Sequence, residues 1–313
     1  MTAAAPTTHD QSLGRGILLM VLAVTIFTAM SALIKAAGRI PPGEAIFFRS
    51  VFAMPVIFGW LALRGDLANG ISTRDWRPHA VRGIAGTCAM GLGFAGLRYL
   101  PLPEVTALRF VTPVLLVVFA ALFLGERFRF IRLLAVLIGL VGVVVISLPR
   151  FSAGGTSGEM FGLIVTLASA CLAALAQTFV KAMSGKEKTA AIVFYFSLTS
   201  ATLSLLTIPF GWVWPVGLEW VWLIGAGLLG GCGQILLTSS YRFADAGVLA
   251  PFTYVSMIWA LLIGYLVFSE VPTLPMLAGA TLIIGAGVMI VLRERQLGLR
   301  RTAERKVRAK GEM

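Results

Sequence analysis

Gly16–Lys35, GILLMVLAVTIFTAMSALIK, and Gly162–Lys181, GLIVTLASACLAALAQTFVK, are apolar runs that open on glycine and close on lysine. A helix needs about 20 mostly apolar residues to cross a bilayer. Each run therefore reads as a spanning helix, and the pair reads as one element written twice. The match extends outward from there. Ala45-Ile46-Phe47-Phe48 recurs as Ala191-Ile192-Val193-Phe194. Gly83, Gly86, Cys88 and Arg98 recur at one common spacing as Gly227, Gly230, Cys232 and Arg242, and Glu126 recurs at that spacing as Glu270. Matched halves with an odd number of spans each lie upside down relative to one another. The expected fold is an all-α membrane protein built of two inverted five-helix repeats, ten transmembrane helices in all.

Composition agrees. The chain has 313 residues, of which 58% are hydrophobic and 13% charged, and its mean hydropathy is +0.90. A soluble domain carries about 25% charged residues, so a water-soluble fold is excluded. The 26 Lys and Arg against 14 Asp and Glu give a formal net charge of +12. In a soluble protein that excess would suggest nucleic acid. Here it sits in loops and tail, where it orients a membrane protein, and no nucleic-acid partner is expected. Cys88, Cys171 and Cys232 lie inside apolar runs, without disulfide or metal spacing. His9 and His79 offer no metal site, and no cofactor is implied. The first apolar run reads as an uncleaved first helix rather than a signal peptide.

The ten runs are 16–35, 44–63, 79–99, 103–124, 130–148, 160–181, 190–210, 218–241, 247–268 and 274–292. They divide the chain into a segment 1–15, a first repeat 16–148, a linker 149–159, a second repeat 160–292 and a basic tail 293–313. With a cytoplasmic N-terminus, Arg15, Arg64, Arg74, Arg77, Arg127, Arg129, Arg132, Lys181, Lys186, Lys188, Arg242 and the tail fall inside. Only Lys35, Arg39, Arg98 and Arg150 fall outside. Positive charge accumulates on the cytoplasmic side, so both termini are expected there, in the cytoplasmic (inner) membrane. The tail reads as a topology anchor or as an attachment to anionic lipid. Four-residue spacings of small residues, Gly83, Thr87, Gly91 and Ala95 in the third run and Gly227 and Gly231 in the eighth, are seams for close helix approach.

Charged residues inside spans are costly and are functional candidates by default. Arg49, Arg82 and Arg109 qualify. Arg49 is five residues past Glu44, and Arg109 is six past Pro103. At about 1.5 Å per residue both lie roughly 8–9 Å below the outer end, where they could form one anion site. Pro113 frees the carbonyl of Arg109, which is tolerated in a membrane only under cover of protein or a wet cavity. Thr106, Arg109 and Thr112 share a face. Two readings stay open: a polar stripe facing a cavity, or arginines locked to Glu44 or Glu104 as structural or coupling pairs. Arg82, near the inner end of its span, could serve a site or snorkel to the surface. In the second repeat Gln177, Tyr195, Gln234, Tyr254 and Trp259 could line a neutral half of the same site, or simply pack. Glu126 and Glu270 close their spans as helix ends or as proton-coupling groups.

Two repeats that end in Pro113…Leu124-Gly125-Glu126 and Pro251…Phe268-Ser269-Glu270, each before a Gly-rich last span, resemble the EamA-type branch of the drug/metabolite transporter superfamily. The resemblance covers about residues 15–292. It implies a ten-span fold and a carrier of small metabolites, a branch with exporters of amino acids and importers of vitamins, cofactors and carboxylates. Glu44-Ala45-Ile46-Phe47-Phe48-Arg49-Ser50 resembles a subset with carboxylate-, riboflavin- and S-adenosylmethionine-type carriers. Ser269 in place of Gly125, and Thr253 in place of Arg109, imply chemically different halves.

The expected function is secondary transport of a small polar metabolite, anionic or zwitterionic, by alternating access across the lipid bilayer. An enzyme is not expected, since no catalytic constellation is present, and no GxxxxGK[ST] loop supports primary transport. A non-transporting scaffold or lipid-handling accessory is the alternative. A monomer and a homodimer both remain open. The topology has a direct check. Reporter fusions at Met313 and within Gly154–Gly158 should report opposite sides of the membrane, and the same side from both would refute ten spans.

Overall fold

The computed structural model describes residues 8–67, 69–124, 130–152, 156–183, 186–244, 249–286, 288–289 and 292. Glu126, the Gly154-Gly155 break and the basic tail lie outside the described residues. Every regular element described is helical: α1 (Thr8–Ala36), α2 (Pro42–Leu63), α3 (Trp76–Tyr99), α4 (Leu102–Arg109), α5 (Val111–Leu124), α6 (Phe130–Ser152), α7 (Ser157–Met183), α8 (Thr189–Leu205), α9 (Leu218–Phe243), α10 (Val255–Phe268) and α11 (Leu274–Ala286). The stretches of α1, α2, α3, α7 and α9 are long and apolar enough to cross a membrane unaided. All ten expected runs contain helix.

Two of those runs are broken, at matching positions. The fourth stops at Arg109, turns at Phe110 and restarts as α5. Pro113 accounts for this, since it cannot donate to the Arg109 carbonyl. The ninth begins as a 3-10 turn, Ala250–Tyr254, and becomes α10 at Val255. Here the proline is Pro251, near the start of that turn. Phe110 and Tyr254 occupy equivalent repeat positions, and their rings meet edge to face with centroids 5.0 Å apart. The pseudo-twofold relation between the repeats passes through this contact.

The repeats interlock rather than sit side by side. α1 packs on α9 and, by the same relation, α7 packs on α3. α2 crosses α9, α8 crosses α3, and α2 meets α8. Glycines make the crossings possible. A methyl at Gly83 would lie 2.7 Å from Thr199 Cγ2, and one at Gly231 would lie 3.0 Å from the Ala53 carbonyl oxygen. One at Gly142 would lie 2.7 Å from the Gly279 carbonyl oxygen, where α6 crosses α11. Lipid gives helices no hydrophobic reason to associate, so close backbone approach and interhelical hydrogen bonds must hold them. Thr87 Oγ1 and Ser200 Oγ, 2.8 Å apart between α3 and α8, and Ser169 Oγ donating to the Ala89 carbonyl at 2.6 Å, are such bonds.

One end of the bundle is tied by charge. Lys35, at the end of α1, pairs with Glu270 at 2.7 Å and donates to the Leu100 carbonyl at 2.9 Å. Glu270 also accepts the Leu102 N–H at 2.9 Å. The ends of α1, α3 and α10 and the start of α4 thus share one cluster, and Glu270 is used there as a helix-end group. Beneath it Ile34, Leu97, Leu100, Leu102 and Val105 are buried together. At the opposite end Lys188 pairs with Asp66 at 3.0 Å.

Ser269, which caps α10 just before Glu270, adopts φ 54, the left-handed region. The first repeat has Gly125 at the corresponding place, the residue type that takes this conformation without a Cβ penalty. Ser269→Gly should therefore raise thermal stability by about 1 kcal/mol, while Ser269→Val, β-branched at positive φ, should lower it by more. Melting curves of the purified variants check the pair; a shift of the same sign in both would contradict the cap.

Candidate functional site

At the interface of the repeats lies a cavity of about 280 Å³, lined from α1–α5 on one side and α7–α10 on the other. That is near the lower end for a small-molecule site. Three arginines face it: Arg49 from α2, Arg82 from α3 and Arg109 from α4. No Asp or Glu lines it among the described residues.

Arg49 and Arg82 act as a pair. Arg49 is 1% and Arg82 4% exposed. Both guanidiniums lie against Phe196 of α8, at 5.4 Å and 3.5 Å from the ring centroid. A ring face attracts cations, more strongly when they are desolvated. Each arginine also leans on α9: Arg49 Nη2 donates to the Gly230 carbonyl and Arg82 Nη2 to Gln234 Oε1, both at 3.3 Å. Gly230 and Gln234 are one turn apart, so α9 presents two acceptors in a row. Nε and Nη1 of both arginines are buried without a hydrogen-bond partner among the described residues. Glycine is essential to this arrangement. A methyl at Gly230 would lie 2.6 Å from Arg49 Nε, and one at its repeat equivalent, Gly86, 2.8 Å from the Phe196 ring.

Arg109 stands apart. Its guanidinium carbon lies 3.9 Å from where a Cβ of Gly93 would be. Thr112, on the far side of the Phe110 break, also lines the cavity and donates to the Ala170 carbonyl at 3.3 Å. From the second repeat come Gln177 and Gln234. Gln177 Oε1 accepts from Tyr241 OH at 3.4 Å.

Five of the eight substrate-site candidates read from sequence thus line one cavity: Arg49, Arg109, Thr112, Gln177 and Gln234. Three do not. Tyr195 meets the His79 ring at a tilt of 49°, centroids 4.9 Å apart. Tyr254 backs Phe110 from behind, and Trp259 is 37% exposed on the outer surface of the bundle. The pairing of arginines also differs from expectation. Arg49 sits with Arg82, not with Arg109, because helix tilt and long side chains carry a head group several ångströms from its Cα. Arg82 does not snorkel outward; its head is buried against Phe196. Neither acid locks Arg49: Glu44 is buried outside the cavity, where it accepts the Val213 N–H at 2.9 Å. Glu104 is buried at the start of α4, also outside the cavity. Phe196 was invisible in the sequence, where one Phe in an apolar helix carries no signal. Thr28 and Ser31 of α1, which also face the cavity, satisfy their hydroxyls on their own helix.

Two stretches of the chain, residues 14–148 and 160–292, match the EamA-like transporter family, one copy per repeat. The chain belongs to that family and is a multi-pass membrane protein, a transporter and not an enzyme. It is 32% identical to the pseudopaline exporter of Pseudomonas aeruginosa over 280 residues, covering 88% of this chain and 95% of that one. It is 26% identical to the S-adenosylmethionine uptake transporter of Rickettsia felis over 282 residues, covering 90% and 94%. A crystal structure of 22% sequence identity superposes with a TM-score of 0.68 over 91% of this chain, which supports the fold.

The seat of Arg49 on Gly230 gives a test. Gly230→Ala should displace that side chain and weaken transport tenfold or more in a folded protein. Gly59→Ala, also in a helix but with nothing within 4 Å of the added carbon, should leave transport unchanged. Size-exclusion profiles and uptake rates of the two variants check this; equal rates would show that Arg49 is not held by α9.

Proposed function

We propose that this chain is a secondary transporter that moves a small organic anion or zwitterion across the cytoplasmic membrane by alternating access. One five-helix repeat rocks against the other, and both termini face the cytoplasm. The observation that carries the reading is the repeat-interface cavity lined by three guanidiniums, those of Arg49 and Arg82 on buried side chains, and, among its described lining, by no carboxylate. A buried cation without a partner is expensive. An anionic substrate, bound by charge-assisted hydrogen bonds, supplies what the cavity lacks. Binding at the interface of inverted repeats lets each half offer the same site to opposite sides. Among relatives, one protein exports and another takes up its solute. Direction therefore follows from gradients and coupling rather than from family membership.

Counterflow in proteoliposomes tests the proposal, because only a carrier exchanges labelled solute for unlabelled. Arg49→Ala/Arg109→Ala should abolish exchange of an anionic metabolite while the protein still purifies folded. Arg109→Lys should recover little, since an ammonium cannot reproduce the planar fork that grips a carboxylate. Glu44→Gln and Glu104→Gln, outside the cavity, should be milder. Exchange by the double alanine variant at the parental rate would sink the assignment.

A further inference from the structure

The cavity holds two cationic poles, not one. Arg82 Nη1 lies 3.6 Å from the Cβ position of Gly86, and the Arg109 guanidinium carbon lies 3.9 Å from that of Gly93. These glycines are seven residues apart on α3, so the two head groups sit at levels about 10 Å apart along one helix. Arg49 belongs to the first pole, since it shares the Phe196 ring with Arg82. At this pole four guanidinium nitrogens, Nε and Nη1 of each arginine, are buried without a protein partner among those described. At the second pole Arg109 forms no ion pair or hydrogen bond with a described residue. Between the two levels, α3 presents Ala89 and Met90 to the cavity, an apolar wall.

A monoanion would satisfy one pole and leave the other cation of the cavity unpaired. Resting on the reading of the cavity as an anion site, we propose that its substrate class is an elongated dianion, with an anionic group at each end of a short, largely apolar body. One end engages Arg49 and Arg82 in front of Phe196. The other engages Arg109, next to Thr112. Because both head groups lie against α3, a ligand lying along that helix presents its two anionic groups about 5–10 Å apart. That separation suits an α,ω-dicarboxylate of about five to eight carbons.

The probes are straight-chain α,ω-dicarboxylates of graded length and the monocarboxylates of matching length. Binding is read as thermal stabilisation of the purified full-length protein over a concentration series. Apparent affinity should peak among the five- to eight-carbon dicarboxylates and exceed that of the matched monocarboxylates by tenfold or more. Arg109→Gln should reduce dicarboxylate affinity to the monocarboxylate level, a loss at least severalfold larger than the loss it causes for the monocarboxylates. Arg109→Lys, which keeps the charge but not the planar fork, should retain only a small part of the preference and controls for misfolding. Equal affinity for mono- and dicarboxylates in the parent, or an equal loss of both in Arg109→Gln, overturns the two-pole proposal alone. If no carboxylate of either series stabilises the folded protein, the anion reading of the cavity falls with it.

Discussion

The architecture depends on how closely two backbones can approach inside a bilayer. Helices in lipid gain no hydrophobic free energy by associating, so the repeats hold where side chains are absent: α2 on Gly227, Gly230 and Gly231 of α9, and α8 on Gly83 and Gly86 of α3. The same contacts build the site. Gly230 admits the Arg49 side chain against the α9 backbone, and Gly86 admits Phe196 against α3. Packing seam and binding chemistry are one feature seen from two sides. A change at either glycine therefore reaches the cavity without touching a residue that would contact a ligand.

The first cationic pole is a contest between opposing terms of similar size. Guanidiniums 5.4 and 3.5 Å from one ring centroid are at most about 9 Å apart, and like charges at that separation repel by roughly 2 kcal/mol at an effective dielectric near 20. One ring face offers a desolvated cation up to about 2 kcal/mol. Phe196 thus roughly offsets the repulsion between Arg49 and Arg82, and the carbonyl of Gly230 and the amide of Gln234 add one weak bond each. Desolvation of the guanidiniums is left uncompensated by the protein. A carboxylate placed beside them would settle that deficit permanently and would compete with any anion arriving from water. Glu44, about two-fifths of a turn beyond one helical turn from Arg49 in sequence, is instead turned away to the Val213 N–H.

Most of the fold was legible because membrane helices announce themselves by length and because the repeat could be read residue against residue. The break at Phe110 was legible through Pro113. Its counterpart at Tyr254 was not, since the proline responsible, Pro251, lies before the break rather than after it. Gly125 opposite Ser269 was a sequence difference whose meaning emerged only with the left-handed φ of Ser269. The site was half legible. Charge inside an apolar run singled out three arginines, but counting residues down a straight helix paired Arg49 with Arg109. Side chains as long as arginine's reach across a crossing, so partners are set by which helices cross at a glycine. Aromatic candidates fared worst. Tyr195, Tyr254 and Trp259 look alike in sequence, and only packing separates one against His79, one behind Phe110 and one on the outer surface.

The scaffold is close to symmetric and its chemistry is not. Arg49 corresponds to Tyr195, Arg82 to Ala226 and Arg109 to Thr253. Were the arginines repeated, six guanidiniums would converge on one cavity, and each added charge would meet the repulsion of all the others without solvent to screen it. The second repeat contributes neutral acceptors and an aromatic face instead: Gln177, Gln234 and Phe196. Each lies beside a cationic group of the first repeat or beside the tyrosine that bonds it, and none adds charge. Symmetry is thus kept in the backbone, where glycine crossings and broken helices must match for two inverted halves to fit. It is given up in the side chains, where one set of cations is as much charge as a cavity of this size can hold.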